Sequence, residues 1–183
     1  MSPGKLVILS GPSGVGKDTV IDAWHDRDPR VQRVVAYTTR RPREGEQEGV
    51  DYHFVSREQF FERAEAGDFL EFKEVHGNYY ATPLADLDEM LLAGQVAILK
   101  IDVQGALTAM NLRPDAITVF LLPPSGEELE RRIRARGLDD ESSILRRLEN
   151  AREEIALADR YRHRIKNDQI DAVVDELVAI LST

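Results

Sequence analysis

The sequence predicts an α/β protein: a five-stranded parallel sheet flanked by helices, with a small mixed-sheet insertion and a second insertion rich in arginine. Three observations carry that prediction. Short apolar runs alternate with stretches of helical periodicity, a rhythm that covers both faces of a buried parallel sheet with helices. The first run leads straight into a glycine-rich turn, Gly11-Pro12-Ser13-Gly14-Val15-Gly16-Lys17. Between Thr38 and Thr82 the rhythm breaks into short strands and turns, which marks an inserted unit.

In chain order, Leu6 to Leu9 is the first buried strand, and its turn has the spacing that lets successive backbone N–H groups wrap phosphates. The helix that follows adds its positive N-terminus, and the Lys17 ammonium reaches the outer phosphates. Purely structural glycine turns seldom carry this spacing together with the lysine, so a held nucleotide triphosphate is expected. Asp18 departs from the pattern, standing where Ser or Thr usually supplies a hydroxyl to magnesium. Val34 to Ala36 reads as the second strand. Inside the insertion, Tyr52 to Val55, Phe69 to Val75 and Asn78 to Ala81 read as strands, the last two joined through a Gly77-Asn78 turn. Ser56 with Gln59 three residues on opens a helix over Ser56 to Ala66, and Thr82 before Pro83 opens one over Pro83 to Ala93. Val96 to Ile101 and Ile117 to Leu122 are the next sheet strands, and Ser125 with Glu128 opens a helix to Arg136. The second insertion, Arg132 to Arg152, gathers arginines around Gly137 and an Asp139-Asp140 turn. Apolar residues at helical spacing, Ile144, Leu148 and Ile155, then Val173, Val174, Leu177 and Leu181, mark helices over Glu141 to Ala158 and Ile170 to Leu181. Arg164 to Lys166 is a short strand between them.

At 183 residues and 42% hydrophobic, the chain can bury one good core. The formal net charge of -9 argues against a general nucleic-acid binder. Without cysteine there is neither a disulfide nor a thiolate metal site, and the four histidines are scattered. Leu6 to Leu9 is too short for a signal peptide or a membrane span, so a cytoplasmic protein without membrane association is expected.

Thr38-Thr39-Arg40-Arg41-Pro42-Arg43-Glu44-Gly45-Glu46 sets three arginines in a loop stiffened by Pro42 and freed at Gly45. Arginine forks suit a phosphate monoester, because they donate parallel hydrogen bonds and keep their charge when partly desolvated. Taken alone the segment reads as a solvated basic turn. Beside a phosphate loop in an acidic chain it reads as a second phosphate site, and donor and acceptor sites together are what phosphoryl transfer needs.

With these residues in view the chain resembles the guanylate kinases, P-loop kinases that transfer the terminal phosphoryl group of ATP to GMP. The resemblance covers nearly the whole chain. It rests on the phosphate loop, on Thr38-Thr39-Arg40 with Pro42-Arg43 and Gly45-Glu46, on Asp51-Tyr52 with Phe54-Val55 and on Gly77-Asn78-Tyr79-Tyr80. Ile101-Asp102 with Gln104-Gly105, Pro123-Pro124-Ser125, Arg136-Gly137 and Asn167-Asp168 complete it. It implies a single domain with core 1–37, 83–131 and 153–183, a GMP-binding insertion 38–82 and a lid 132–152. ATP is then held by Gly11, Pro12, Ser13, Gly14, Val15, Gly16, Lys17, Asp18 and Thr19, with Asn167 near its base, and magnesium accompanies it. Arg40, Arg43, Tyr52 and Tyr80 are implied to grip the GMP phosphate, with Glu46 in the same loop, while Glu71 and Asp102 read the guanine with Thr82 assisting. Guanine offers N1–H and its exocyclic amine as adjacent donors to a carboxylate, which adenine cannot. Arg136 and Arg147 match lid arginines that act in catalysis with Lys17 and Arg40; Arg132 matches less well, since Glu127 with Arg131 and Glu128 with Arg132 are also spaced for helix ion pairs.

Besides Asp18, three positions depart from the family. Tyr37 stands where many members have a small serine that donates to guanine; its phenol can donate, but its bulk must point elsewhere. Ala81 replaces a glycine. Lys100 replaces an aspartate and shares a strand face with Asp102, so that it either pairs with Asp102 or approaches a substrate phosphate. Asp18 either ligates magnesium, directly or through water, or serves as a favourable negative group at a helix N-terminus. Two rivals are a kinase for a ribose phosphate, which has no use for Glu71, Thr82 and Asp102, and a non-catalytic scaffold module, which typically lacks an intact phosphate loop.

Overall fold

The computed structural model describes residues 4–135 and 140–183. Arg136 and Gly137, placed in the lid by the resemblance, lie outside the described residues. β1 (Lys5–Ser10) is the middle of a five-stranded parallel sheet ordered β2 (Val31–Arg33), β7 (Val96–Lys100), β1, β8 (Ile117–Leu122), β9 (His163–Lys166). β1 and β7 are apolar because both of their faces are covered: Val7, Ile8, Leu9, Ala97, Ile98 and Leu99 are essentially inaccessible. One face packs on α1 (Lys17–Arg27) and α7 (Ile170–Leu181) through Trp24, Val173, Val174 and Leu177. The other packs on α3 (Leu84–Leu92) and α4 (Val103–Leu112) through Leu87, Val103, Ala106 and Ala109. A third cluster joins α5 (Gly126–Ala135) to α6 (Glu141–Ala156) through Leu129, Ile133, Ile144 and Ala151. Among the described residues no helix is long and apolar enough to cross a membrane.

A separate four-stranded sheet is ordered β4 (His53–Phe54), β3 (Tyr37–Thr38), β6 (Asn78–Pro83), β5 (Phe69–Val75), with β3 and β4 parallel and the other pairs antiparallel. Helix α2 (Arg57–Glu65) packs Phe60 among Phe69, Phe72 and Tyr79, with ring centroids 5.0 to 5.8 Å apart. Its start carries the expected capping box: the Gln59 amide donates to Ser56 Oγ, and Gln59 Oε1 accepts from the Ser56 amide.

Several expectations are corrected. The second core strand is Val31–Arg33 rather than Val34 to Ala36; Val34 still donates to the Ile98 carbonyl, after which the chain turns away to become β3. The hairpin turn is His76-Gly77, at φ of 51° and 80°, with Val75 paired to Asn78, the two positive φ values that a two-residue turn requires. Helix α3 begins at Leu84 with Pro83 as its cap and without a capping side chain, because the Thr82 hydroxyl is engaged elsewhere. Ser125 Oγ accepts from the Glu128 amide, but the Glu128 carboxylate goes to Arg131 and Arg132 instead of closing the box. Helix α4, absent from the sequence reading, is capped by Asp102, whose Oδ1 accepts from the Gly105 amide at 3.0 Å.

Candidate active site

The carboxyl ends of β1, β7, β8 and β9 all face one side of the core sheet, where open α/β folds bind ligands. There β1 ends in the turn 11–16, with Gly14 and Gly16 at φ of 84° and 99°. A Cβ at Gly16 would meet Asn167 Nδ2 at 2.9 Å, so glycine is required both by conformation and by approach. Asn167, at the end of β9 and 3% exposed, donates from Nδ2 to the Val15 carbonyl at 2.7 Å. Its buried Oδ1 has no hydrogen-bond partner among the described residues. Lys17 folds over the turn and donates to the carbonyls of Gly11 and Pro12. Arg147, from α6, donates to Ser13 Oγ at 2.8 Å, and Arg132 reaches the Val15 carbonyl at 3.3 Å while paired to Glu128. Asp18 and Thr19 are exposed in the first turn of α1.

A cleft of about 300 Å³ runs from this turn to the second sheet, walled by Gly11, Ser13 and Lys17 at one end and by Tyr52, Tyr80 and Glu71 at the other, with Lys100 and Asp102 between. Arg40 is held by Glu46 in a two-pronged pair, Nη2 to Oε1 at 2.8 Å and Nη1 to Oε2 at 3.0 Å. Gly45, at φ 85°, closes the tight turn that brings Glu46 back, and Glu46 Oε2 also accepts from the Arg43 amide at 2.8 Å. The Glu46 partnership raises the Arg40 pKa, burial opposes that rise, and Tyr80 adds to it. Arg40 lies over the Tyr52 ring, 5.4 Å from its centroid, and burial pushes the Tyr52 phenol above its ordinary value. The Arg43 side chain is exposed.

At the other end of the cleft Glu71 is 7% exposed, and burial pushes its carboxyl up to about 6; the Thr82 hydroxyl, donating to Oε1 at 2.8 Å, opposes the rise, and Asp102 adds to it. Thr82 is opposite Glu71 in the β5–β6 pairing, so the two meet across strands. Gly105 admits this arrangement: a Cβ there would sit 3.0 Å from both Glu71 Oε2 and Asp102 Oδ1.

The structure therefore brings Lys17, Tyr52, Glu71, Tyr80 and Asp102 to one cleft, with Arg40 and Thr82 against its wall. It does not bring Tyr37. That ring packs on His53 and Phe69 at 4.6 and 5.4 Å, under Arg63, and lines a different hollow, while Ala36 occupies the cleft wall. Lys100 does not pair with Asp102: it donates to Asp18 Oδ1 at 2.6 Å, and Arg33 donates to the same oxygen at 3.0 Å. Covering by neighbours raises the Asp18 carboxyl, but Lys100, Arg33 and Lys17 outweigh that and hold it below its ordinary value. Two residues of the site escaped the sequence reading. Arg33 lies outside every motif named from the sequence. Glu154 is equally unmarked there, yet it lines the cleft, where burial raises its carboxyl, Lys17 opposes the rise and Asp102 adds to it. Ile144, Ala151 and Ile155 set the buried stripe of that helix, and a position three residues after Ala151 sits beside it, which is the signal available in the sequence.

A sequence model of the guanylate kinase family matches residues 3–183. The guanylate kinase of Synechococcus sp. (strain JA-3-3Ab) is 47% identical over 97% of this chain and 82% of its own length. That of Aromatoleum aromaticum is 45% identical over 98% of this chain and 88% of its own. The crystal structure of guanylate kinase from Anaplasma phagocytophilum superposes with a TM-score of 0.79 at 34% identity, covering 100% of this chain and 86% of that one.

Proposed function

The chain belongs to the guanylate kinase family, and we propose from the cleft that it transfers the terminal phosphoryl group of ATP to GMP, and to dGMP, yielding ADP and GDP or dGDP. The observation that carries the base specificity is Glu71: a buried carboxylate on the same cleft as the phosphate turn, braced by Thr82 and adjoined by Asp102. Ionised, it accepts from N1–H and the exocyclic amine of guanine together; an adenine in its place would leave the carboxylate desolvated and unpaired, and such sites discriminate strongly.

Arg40 and Arg43, with the phenols of Tyr52 and Tyr80, bind the GMP phosphate. The Arg40–Glu46 pair keeps the guanidinium aimed while no phosphate is present, and Arg40 can stay on Glu46 and still donate to phosphate from its remaining N–H groups. On the donor side the backbone N–H groups of 11–16 wrap the ATP phosphates, Lys17 exchanges the loop carbonyls for phosphate oxygens, and Asn167, bonded to the Val15 carbonyl, lies near the ATP base. Positioning and electrostatics supply the acceleration, and the acceptor phosphate, already ionised near neutral pH, needs no general base. Arg147, and Arg136 from outside the described residues, close over the donor from the lid 132–152 and exclude water while the insertion 38–82 closes on GMP.

Magnesium fits this site as a hard cation that would be held mostly by phosphates and water, with one exposed carboxylate, Asp18, in the first turn of α1 beside Lys17. Asp18 would be its protein ligand, directly or through water. When bound, the ion neutralises charge on the donor phosphates. The enzyme works in purine nucleotide metabolism in the cytoplasm, apart from nucleic acid and membrane.

ADP formation measured across GMP, dGMP, AMP, UMP, CMP and a ribose phosphate tests the reading. Turnover confined to guanine nucleotides is expected, and equal turnover of AMP or of the ribose phosphate would overturn it.

A further inference from the structure

Asp18 and Lys100 are 82 residues apart in the chain, yet their side chains meet at 2.6 Å, and Arg33 completes a trio on the same carboxylate oxygen. Arg33 also reaches Asp51 Oδ1 at 3.9 Å, so that two cations and two carboxylates meet here and Asp18 is not left to Lys100 alone. The location gives the cluster its meaning. Asp18 opens α1 beside Lys17; Lys100 ends β7, two residues before Asp102; Arg33 ends β2 and donates from Nη2 to the Val50 carbonyl at 3.0 Å, beside Tyr52. The trio thus ties the donor turn, the core sheet and the loop leading to Tyr52 together at the middle of the cleft. Lys100 lines that cleft with its side chain 18% exposed and its ammonium on Asp18. A flexible four-carbon stem usually keeps its charge in water; here it is pinned.

We propose that Lys100 is a further binding residue for the acceptor phosphate, held in place by Asp18 as a positioning residue that Arg33 in turn anchors. This rests on the reading of the cleft as a GMP site. An ammonium pinned between the donor turn and Tyr52 meets a phosphate without first being ordered. Arg33 keeps Asp18 neutralised, so the carboxylate that holds Lys100 does not repel the incoming phosphate. The arrangement also explains why a lysine is tolerated next to the guanine-reading Asp102: its charge is committed to Asp18, and Asp102 stays free to cap α4 and face the base.

The test is titration calorimetry of GMP and of guanosine without ATP or magnesium, on wild type, Lys100→Met and Lys100→Arg. Loss of GMP affinity by about 10-fold in Lys100→Met, with guanosine affinity unchanged and Lys100→Arg retaining most of the GMP affinity, supports the proposal, a size in keeping with one charge-assisted contact. GMP affinity within twofold of wild type in a folded Lys100→Met, or an equal loss for GMP and guanosine, overturns it. Lys100→Gln gives the same reading if the methionine variant does not fold. Asp18→Asn, measured alone and in the Lys100→Met background, tests the positioning role: the two effects differ at least threefold if Asp18 acts through Lys100, and equal effects overturn that part. Wild-type protein that binds GMP no better than guanosine would remove the acceptor-phosphate reading itself, a result distinct from any change between variants.

Discussion

On the donor side of the cleft Gly14 and Gly16 hold the turn at φ of 84° and 99°, a backbone path that Asn167, Arg132 and Arg147 brace from outside. On the acceptor side the groups are side chains that already have partners: Arg40 on Glu46, Thr82 on Glu71, Lys100 on Asp18. The first side is preorganised by conformation and changes little when a phosphate arrives, apart from Lys17. The second is preorganised by ion pairs and hydrogen bonds that must share or exchange partners. A backbone site tolerates little substitution because its shape is its function, whereas a side-chain site can be loosened one partner at a time, so its variants should separate binding, selectivity and stability.

Replacement of Lys17 by alanine is expected to have the largest effect, about 10³-fold in kcat, with unfolding temperature nearly unchanged, since it removes a charge aimed at the transferred group. A steady-state assay with near-wild-type kcat would break the donor side of the comparison. Arg40→Ala should cost about 10²-fold or more in kcat/KM for GMP, and Glu46→Gln markedly less, because the guanidinium survives without its brace. Equal losses would mean that the pair acts as one unit rather than as a group and its holder.

Glu71→Gln separates selectivity from stability. The Glu71 carboxyl stands at about 6 in the fold against 4.5 in the unfolded chain. Folding therefore favours its protonated form, so the stability it contributes is full below the unfolded value and is lost as pH rises through the folded one. At pH 8 the glutamine variant should gain at most about 2 kcal/mol in denaturant unfolding, while its kcat/KM for GMP falls about 10²-fold. Guanine recognition runs the other way with pH, since it needs the ionised carboxylate: wild-type kcat/KM should rise through pH 6 more steeply than that of Glu71→Gln, whose remaining limb is that of the GMP phosphate, with its second pKa of about 6. Equal steepness in the two would remove Glu71 from the pH dependence.

Smaller effects mark the supports of each side. Asn167→Ala leaves the Val15 carbonyl with Arg132, at 3.3 Å, as its side-chain partner and should destabilise by about 1 kcal/mol, with KM for ATP rising several-fold and KM for GMP unmoved. Ser56→Ala, which removes the α2 cap, should cost about 1 kcal/mol and leave both KM values as they are.

The donor side was legible in the sequence because glycine spacing, a preceding apolar run and one lysine specify a local backbone path. The same locality made the Ser56–Gln59 box, α7 and most strands readable, and it fails where neighbours compete for a group. Thr82 before Pro83 reads as a helix cap until Glu71, opposite it on β5, takes the hydroxyl. Helix α4 was hidden because its cap, Asp102, reads first as a site residue. Tyr37 was carried into the site by resemblance, whereas its ring fills the space among His53, Phe69 and Arg63.

By itself, then, the sequence determined the alternation that builds the parallel sheet, the phosphate turn and the residue types that suit a guanine nucleotide, because backbone conformation and apolar periodicity are set by residues near one another in the chain. The tertiary structure alone decided partnership: that Asp18 holds Lys100, that Arg33 joins them, that Thr82 braces Glu71 and that Glu154 enters the cleft. A charged or hydroxyl side chain takes the partner that best offsets its lost hydration, and which partner stands within reach is known only once distant segments are packed together.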